Sequence, residues 1–146
     1  MATDRSFQAK NAQARERLTA LAGRLGEAEL QRPVGHGWTI AATLVHLAFW
    51  DLRAIILMDR YEKGGGVTPS PADADVVNDT VHALARAIPP RAAARLAVDA
   101  AEQVDRRIEA LPDRLLDAVV AADHPFNLAR HTHRTEHLDE IERALR

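Results

Sequence analysis

Two histidines four residues apart, His133 and His137, lie in Leu128 to Arg146, a stretch of helix formers without proline or glycine. Residues at this spacing stand one above the other on the same helix face, so both imidazoles can aim at one point. A third histidine, His46, lies far upstream in Trp38-Thr39-Ile40-Ala41-Ala42-Thr43-Leu44-Val45-His46-Leu47-Ala48-Phe49-Trp50-Asp51. If the helix carrying it packs against the last one, three imidazoles converge on a metal ion. Such a ligand set suits Zn²⁺, Ni²⁺, Fe²⁺ or Mn²⁺. Three protein ligands leave positions open for water and substrate, the pattern of a catalytic rather than a structural site. In such a site zinc brings the pKa of its water to about 7.

Blander readings stand beside this one. The tail pair can be solvated among Arg134, Glu136, Asp139 and Glu140. His137, however, lies beside the stripe of Leu138, Ile141 and Leu145, where two buried imidazoles without a ligand or partner are costly. His46 shares its helix face with Ala42, Thr43, Phe49, Trp50, Arg53 and Leu57, where a lone histidine can also be a hydrogen-bonded core residue. His131 is two residues from His133 and points to another side of the helix. His36 sits between two glycines, and loop solvation is its default; His82 and His124 lie among polar neighbours and before a proline. Trp38 and Trp50 are pocket candidates whose alternative is packing. Arg53 is a candidate receptor for a substrate carboxylate, and its alternative is an ordinary salt bridge. Asp51, Glu136 and Glu140 flank the ligands, but helical geometry aims none of them, and no general base is named.

The elements that must position these residues are helical. Ser6 to Leu25 carries Leu18, Leu21, Ala22 and Leu25 at helical spacing, and Gly26 ends it. Glu27 to Leu30 can add a turn before Pro33, and Gly35-His36-Gly37 reads as a loop. Thr39 is a suitable N-cap for the apolar helix that starts at Ile40 and runs to Tyr61 or Glu62, where Gly64-Gly65-Gly66 stops it. Val67 to Ala74 is a loop. Asp75 to Ile88 predicts a third helix closed by Pro89-Pro90, Ala92 to Leu111 a fourth, and Pro112 opens a short turn of helix through Leu115, Leu116 and Val119. Asp123-His124-Pro125 is a break before the final helix. No strand-period alternation survives bounding by turn signals, and no 20–50-residue repeat is visible. The expectation is all-α: a four-helix bundle with short extra helices, a common home for metal sites built from facing helices.

Composition narrows the function classes. The 146 residues fit a single domain, 1–146, able to bury a core without staples. Apolar residues make up 47% and charged residues 27%, as in ordinary soluble globular chains. With 19 basic against 21 acidic residues the formal net charge is −2, so the global basic footprint of a nucleic-acid binder is absent and no nucleic-acid partner is expected. Without cysteine there is no disulfide, thiolate nucleophile or Cys-type zinc site. Met1-Ala2-Thr3-Asp4-Arg5-Ser6 turns polar at once and lacks the apolar core of a signal peptide. Val34 to Trp50 is short for a membrane span and interrupted by Gly, His and Thr. A cytoplasmic protein without a membrane partner is the default.

The segment Trp38 to Asp51 resembles the Trp-Ser/Thr-…-His-Leu/Ile-Ala-x-Trp signature of the DinB-like superfamily, which includes bacillithiol- and mycothiol-dependent enzymes. His133-x-x-x-His137 followed by Ile141 is similar to that superfamily's closing helix, and Asn78 and Ala110 to Leu116 resemble the middle of its chains. The likeness covers essentially the whole sequence in order. It implies an unusual, commonly dimeric four-helix bundle holding a divalent metal through His46, His133 and His137. The stretch between Pro112 and the final helix is shorter than in many relatives. What the resemblance implies is a metal-dependent small-molecule transferase, of the thiol S-transferase type, or a hydrolase. In it the ion activates water or the thiolate of a low-molecular-weight thiol. The alternative is a non-enzymatic protein of the same bundle that binds or sequesters a small molecule under stress.

Overall fold

A computed structural model describes residues 4–146; the polar start at residues 1–3 lies outside the described part. The helices are α1 (Phe7–Arg24), α2 (Glu27–Leu30), α3 (Ile40–Gly64), α4 (Ala74–Ala85), α5 (Pro90–Ala110), α6 (Asp113–Ala121) and α7 (Arg130–Leu145). A two-stranded antiparallel hairpin of β1 (Pro33–Gly35) and β2 (Trp38–Thr39) sits between α2 and α3. The fold is an all-α bundle in which α1, α3, α5 and α7 are the long members. The hairpin departs from the strand-free expectation. Strands of three and two residues are too short to display a period of two, and only the turn glycines announce them.

Local chemistry explains the helix limits. Thr39 Oγ1 accepts the Ala42 N–H at 3.0 Å and starts α3. At its other end Gly65, at φ 89°, adopts the left-handed turn that returns its N–H to the Tyr61 carbonyl. Pro90 opens α5 from its first turn, where a missing N–H costs nothing. The final helix begins at Arg130 rather than Leu128. Asn127 Oδ1 instead accepts the Ala129 N–H, and Asn11 Nδ2 donates to the Leu128 carbonyl, which holds those residues out of the helix. Likewise α4 stops at Ala85, three residues before the expected Ile88, in turns that precede Pro89-Pro90.

Helix α3 runs through the whole core. Its first half, with Ile40, Leu44 and Leu47, packs with Leu18, Leu21, Leu138 and Ile141. Its second half, with Ala54, Leu57 and Met58, packs with Val104, Ile108, Leu116 and Phe126. Helix α5 presents a buried seam of Ala93, Ala94, Ala97, Ala100 and Ala101, whose small side chains let the neighbouring helices approach closely. Each large aliphatic side chain buried here contributes about 1.5–3 kcal/mol. Although α3 is long and apolar enough to cross a bilayer, 67% of its most apolar window is buried within the protein, as in a core helix.

Candidate metal centre

Helix α3 brings His46, and α7 brings His133 and His137, to one point. His46 Nε2 lies 2.8 Å from His133 Nε2, and the three rings meet edge to face with centroids 4.7 to 4.8 Å apart. One candidate donor nitrogen from each residue lies within 4.8 Å of the other two. His46 is buried, and the tail histidines are half-buried.

Burial governs the protonation of the two deeper rings. The His46 pKa falls from 6.5 to about 4, first through desolvation and then through His137, with Asn78 opposing weakly. His133 falls to about 3, again through desolvation first, then through His46, His137, Arg130 and Arg134. Both rings are therefore neutral bases at physiological pH, the form a metal requires. Two facing Nε2 atoms can share at most one proton, and the buried His46 Nδ1 has no hydrogen-bond partner. A convergent set of imidazole lone pairs with so little internal satisfaction fits a divalent cation. His137 has a further tie: its Nδ1 lies 3.3 Å from Glu140 Oε2, so the ring can donate there and leave Nε2 free as a lone pair.

His46 and His137 form part of the wall of a cavity of about 810 Å³, to which Trp38, Thr43, Asn78 and Glu140 also contribute, while His133 lies behind them, off the wall. Asp75 and Asp79 of α4 and Arg143 of α7 line it too, so the wall carries both signs of charge. Trp38 meets His46 edge-on at 5.8 Å and lies against His82 at 4.6 Å, and the His82 ring in turn bonds to the Gly37 carbonyl. The turn Gly35-His36-Gly37 has φ values of 129°, 53° and 81°. The flanking glycines tolerate that conformation, and His36 stays exposed in its loop, as expected, at the edge of the cavity.

Of the pocket candidates, Trp38 alone reaches the cavity wall. Trp50 is turned aside because its Nε1–H donates to Asn78 Oδ1 at 3.0 Å. Arg53 stacks over Trp50 at 5.6 Å and donates to the Ser70 and Pro125 carbonyls, so it ties down two loops instead of facing a ligand. His131 stays out of the cluster; its backbone N–H donates to Asn11 Oδ1. Its ring pKa is lowered by desolvation and by the charges of Lys10 and Arg134. Asp51 serves Arg130 and Arg134 rather than a histidine. Glu140 is the residue that sequence reasoning left unaimed, although its i, i+3 spacing from His137 was the available signal.

No protein of curated function and no solved structure matches the chain. The family model for the DinB superfamily matches residues 11–138, from the second turn of α1 to the residue after His137, and so takes in all three histidines. The chain belongs to the DinB superfamily.

Proposed function

We propose that this protein is a metal-dependent enzyme acting on a small molecule, either a transferase of the thiol S-transferase type or a hydrolase. His46, His133 and His137 hold the divalent ion. The observation that carries the reading is the convergence of three imidazole nitrogens beside a cavity large enough for a small organic substrate. Zn²⁺, Ni²⁺, Fe²⁺ and Mn²⁺ all accept this ligand set. When bound, the metal supplies Lewis acidity toward water or the thiolate of a low-molecular-weight thiol.

The chain's own residues have definable tasks in this scheme. Burial keeps His46 and His133 unprotonated, and Glu140 orients the His137 ring by accepting from Nδ1. Trp38 offers a flat apolar wall for the substrate, and Asn78 is itself oriented by the Trp50 indole. The protein works in the cytoplasm as one domain spanning 1–146, assembled as a homodimer, with a small molecule rather than nucleic acid or membrane as its partner.

Elemental analysis of the purified protein by ICP-MS, beside His46→Ala and His137→Ala, tests the reading. About one divalent metal per chain, lost in both variants, is the expected result and leads to a screen of thiol-transfer and hydrolysis substrates. A protein that neither contains a metal nor takes up added Zn²⁺, Ni²⁺ or Mn²⁺ overturns it. Metal uptake together with tight small-molecule binding but no turnover moves the protein to the class of binding and sequestering proteins.

A further inference from the structure

Beside the histidines lies a buried cluster of charges, two of whose arginines also help to keep His133 neutral. Arg130 and Arg134 stand one turn apart on α7 and flank His133. Arg130 donates to Asp51 Oδ1 through Nε and Nη2 at 2.9 and 2.8 Å, and Arg134 Nη2 lies 3.5 Å from Asp51 Oδ2. Arg134 also grips Asp105 of α5 with both terminal nitrogens, at 2.9 and 2.8 Å, and Asp105 is shared with Arg15 of α1 at 2.6 Å. The side chains of Asp51, Asp105, Arg130 and Arg134 are all at least nine-tenths buried. Among the described residues, the polar contacts between α3 and α7 are those of Asp51 and the His46–His133 contact itself.

Such a cluster is a poor source of net stability, because desolvation offsets the attraction. What it supplies is direction. Leu138 and Ile141 hold α7 in the core by apolar burial, which is non-directional. Sliding α7 along α3 by one residue's rise, about 1.5 Å, would break the Asp51 contacts. It would also take His133 out of register with His46. Metal sites tolerate ligand-distance errors of only about 0.2 Å. We infer that Asp51, with Arg130 and Arg134, is the positioning device that sets the register of α7 against α3 and so holds the three imidazoles at one point. The inference rests on the metal-site reading for its purpose, though not for its geometry.

The test uses Asp51→Leu/Arg130→Met/Arg134→Met, which replaces the clamp by apolar side chains and leaves Asp105 paired with Arg15. The closely isosteric Asp51→Asn is the second variant, and it carries the test if the triple variant fails to fold. In metal-free protein, nuclear Overhauser contacts between the His46 and His133 rings report the register. In Co²⁺-loaded protein, affinity and the d–d bands report the site. The expected result is a cooperatively folded variant with weakened ring contacts, altered d–d bands and Co²⁺ affinity reduced about 10- to 100-fold. A folded variant with wild-type ring contacts, Co²⁺ affinity and bands overturns the inference. If the wild type shows Asp51-dependent ring contacts but takes up none of Co²⁺, Zn²⁺, Ni²⁺ and Mn²⁺, the clamp stands and the metalloenzyme reading falls. If ring contacts and Co²⁺ binding are alike in all the proteins, the reverse holds.

Discussion

At the scale of the residue, the Glu140–His137 contact separates a ligand set that is merely present from one that is oriented. An imidazole on a helix can rotate about its side-chain torsions, and a carboxylate on Nδ1 fixes both its tilt and its tautomer. Glu140→Ala should leave the fold intact, since Glu140 is half-buried at the cavity wall, and weaken Zn²⁺ binding about 10- to 100-fold. Competition against a chromophoric chelator measures this, and unchanged affinity would remove Glu140 from the site. The sequence made the three histidines legible because their spacing and their place beside apolar stripes are helical properties. It did not make Arg53 legible. An arginine on the face of His46 looks poised for an anion until the carbonyls of Ser70 and Pro125, distant in sequence, are seen to take its donors.

At the scale of the element, the packing of α5 depends on how small its buried seam is. Ala101 is fully buried in the cluster that also holds Leu138 and Ile141 of α7. Ala101→Leu adds volume where none is free, so it should cost about 1–3 kcal/mol, read as a lower urea midpoint at unchanged slope. A variant as stable as wild type would show that the seam has slack. Helix limits were readable where a residue announces them through its own backbone chemistry, as Thr39 and Gly65 do, whereas Pro89-Pro90 reads as a stop for α4 and puts the start of α5 at Ala92, two residues late. They were misread where a distant side chain intervenes. Asn11, more than a hundred residues before the tail, bonds to the Leu128 carbonyl and the His131 N–H, and no local pattern around Leu128 encodes that. The hairpin was invisible for another reason, since two short strands bury too little to leave an alternating trace.

At the scale of the whole molecule, a metal joining α3 to α7 binds the folded chain and not the unfolded one, so it must raise the melting temperature. With free metal at 100 times the dissociation constant the gain is about 2.7 kcal/mol. For a chain of this length that corresponds to a shift of roughly 5–10 °C. Calorimetry with and without a chelator checks this, and a melting temperature indifferent to metal would contradict a site that bridges two helices. The all-α class was legible from composition and periodicity. Which helices are neighbours was not, because an amphipathic pattern states that a face is buried without naming what covers it. The meeting of His46 with His133, 87 positions apart, was conditional on their two helices packing together and became geometry only with the fold.

The placement of two ligands on α7 has a consequence for the order in which the protein is made. Ribosomes build chains from the N-terminus, so α7 is the last of these elements to be synthesised. Until it emerges, the nascent chain offers only His46 of the three clustered histidines, and one imidazole of a three-ligand set holds a divalent ion weakly. Arg15 and Asp105, which meet across α1 and α5 and receive Arg134 in the folded chain, both precede α7 in the sequence. If the proposed site takes a metal, loading follows the docking of the last helix, and a chain stalled before α7 lacks two of the three ligands.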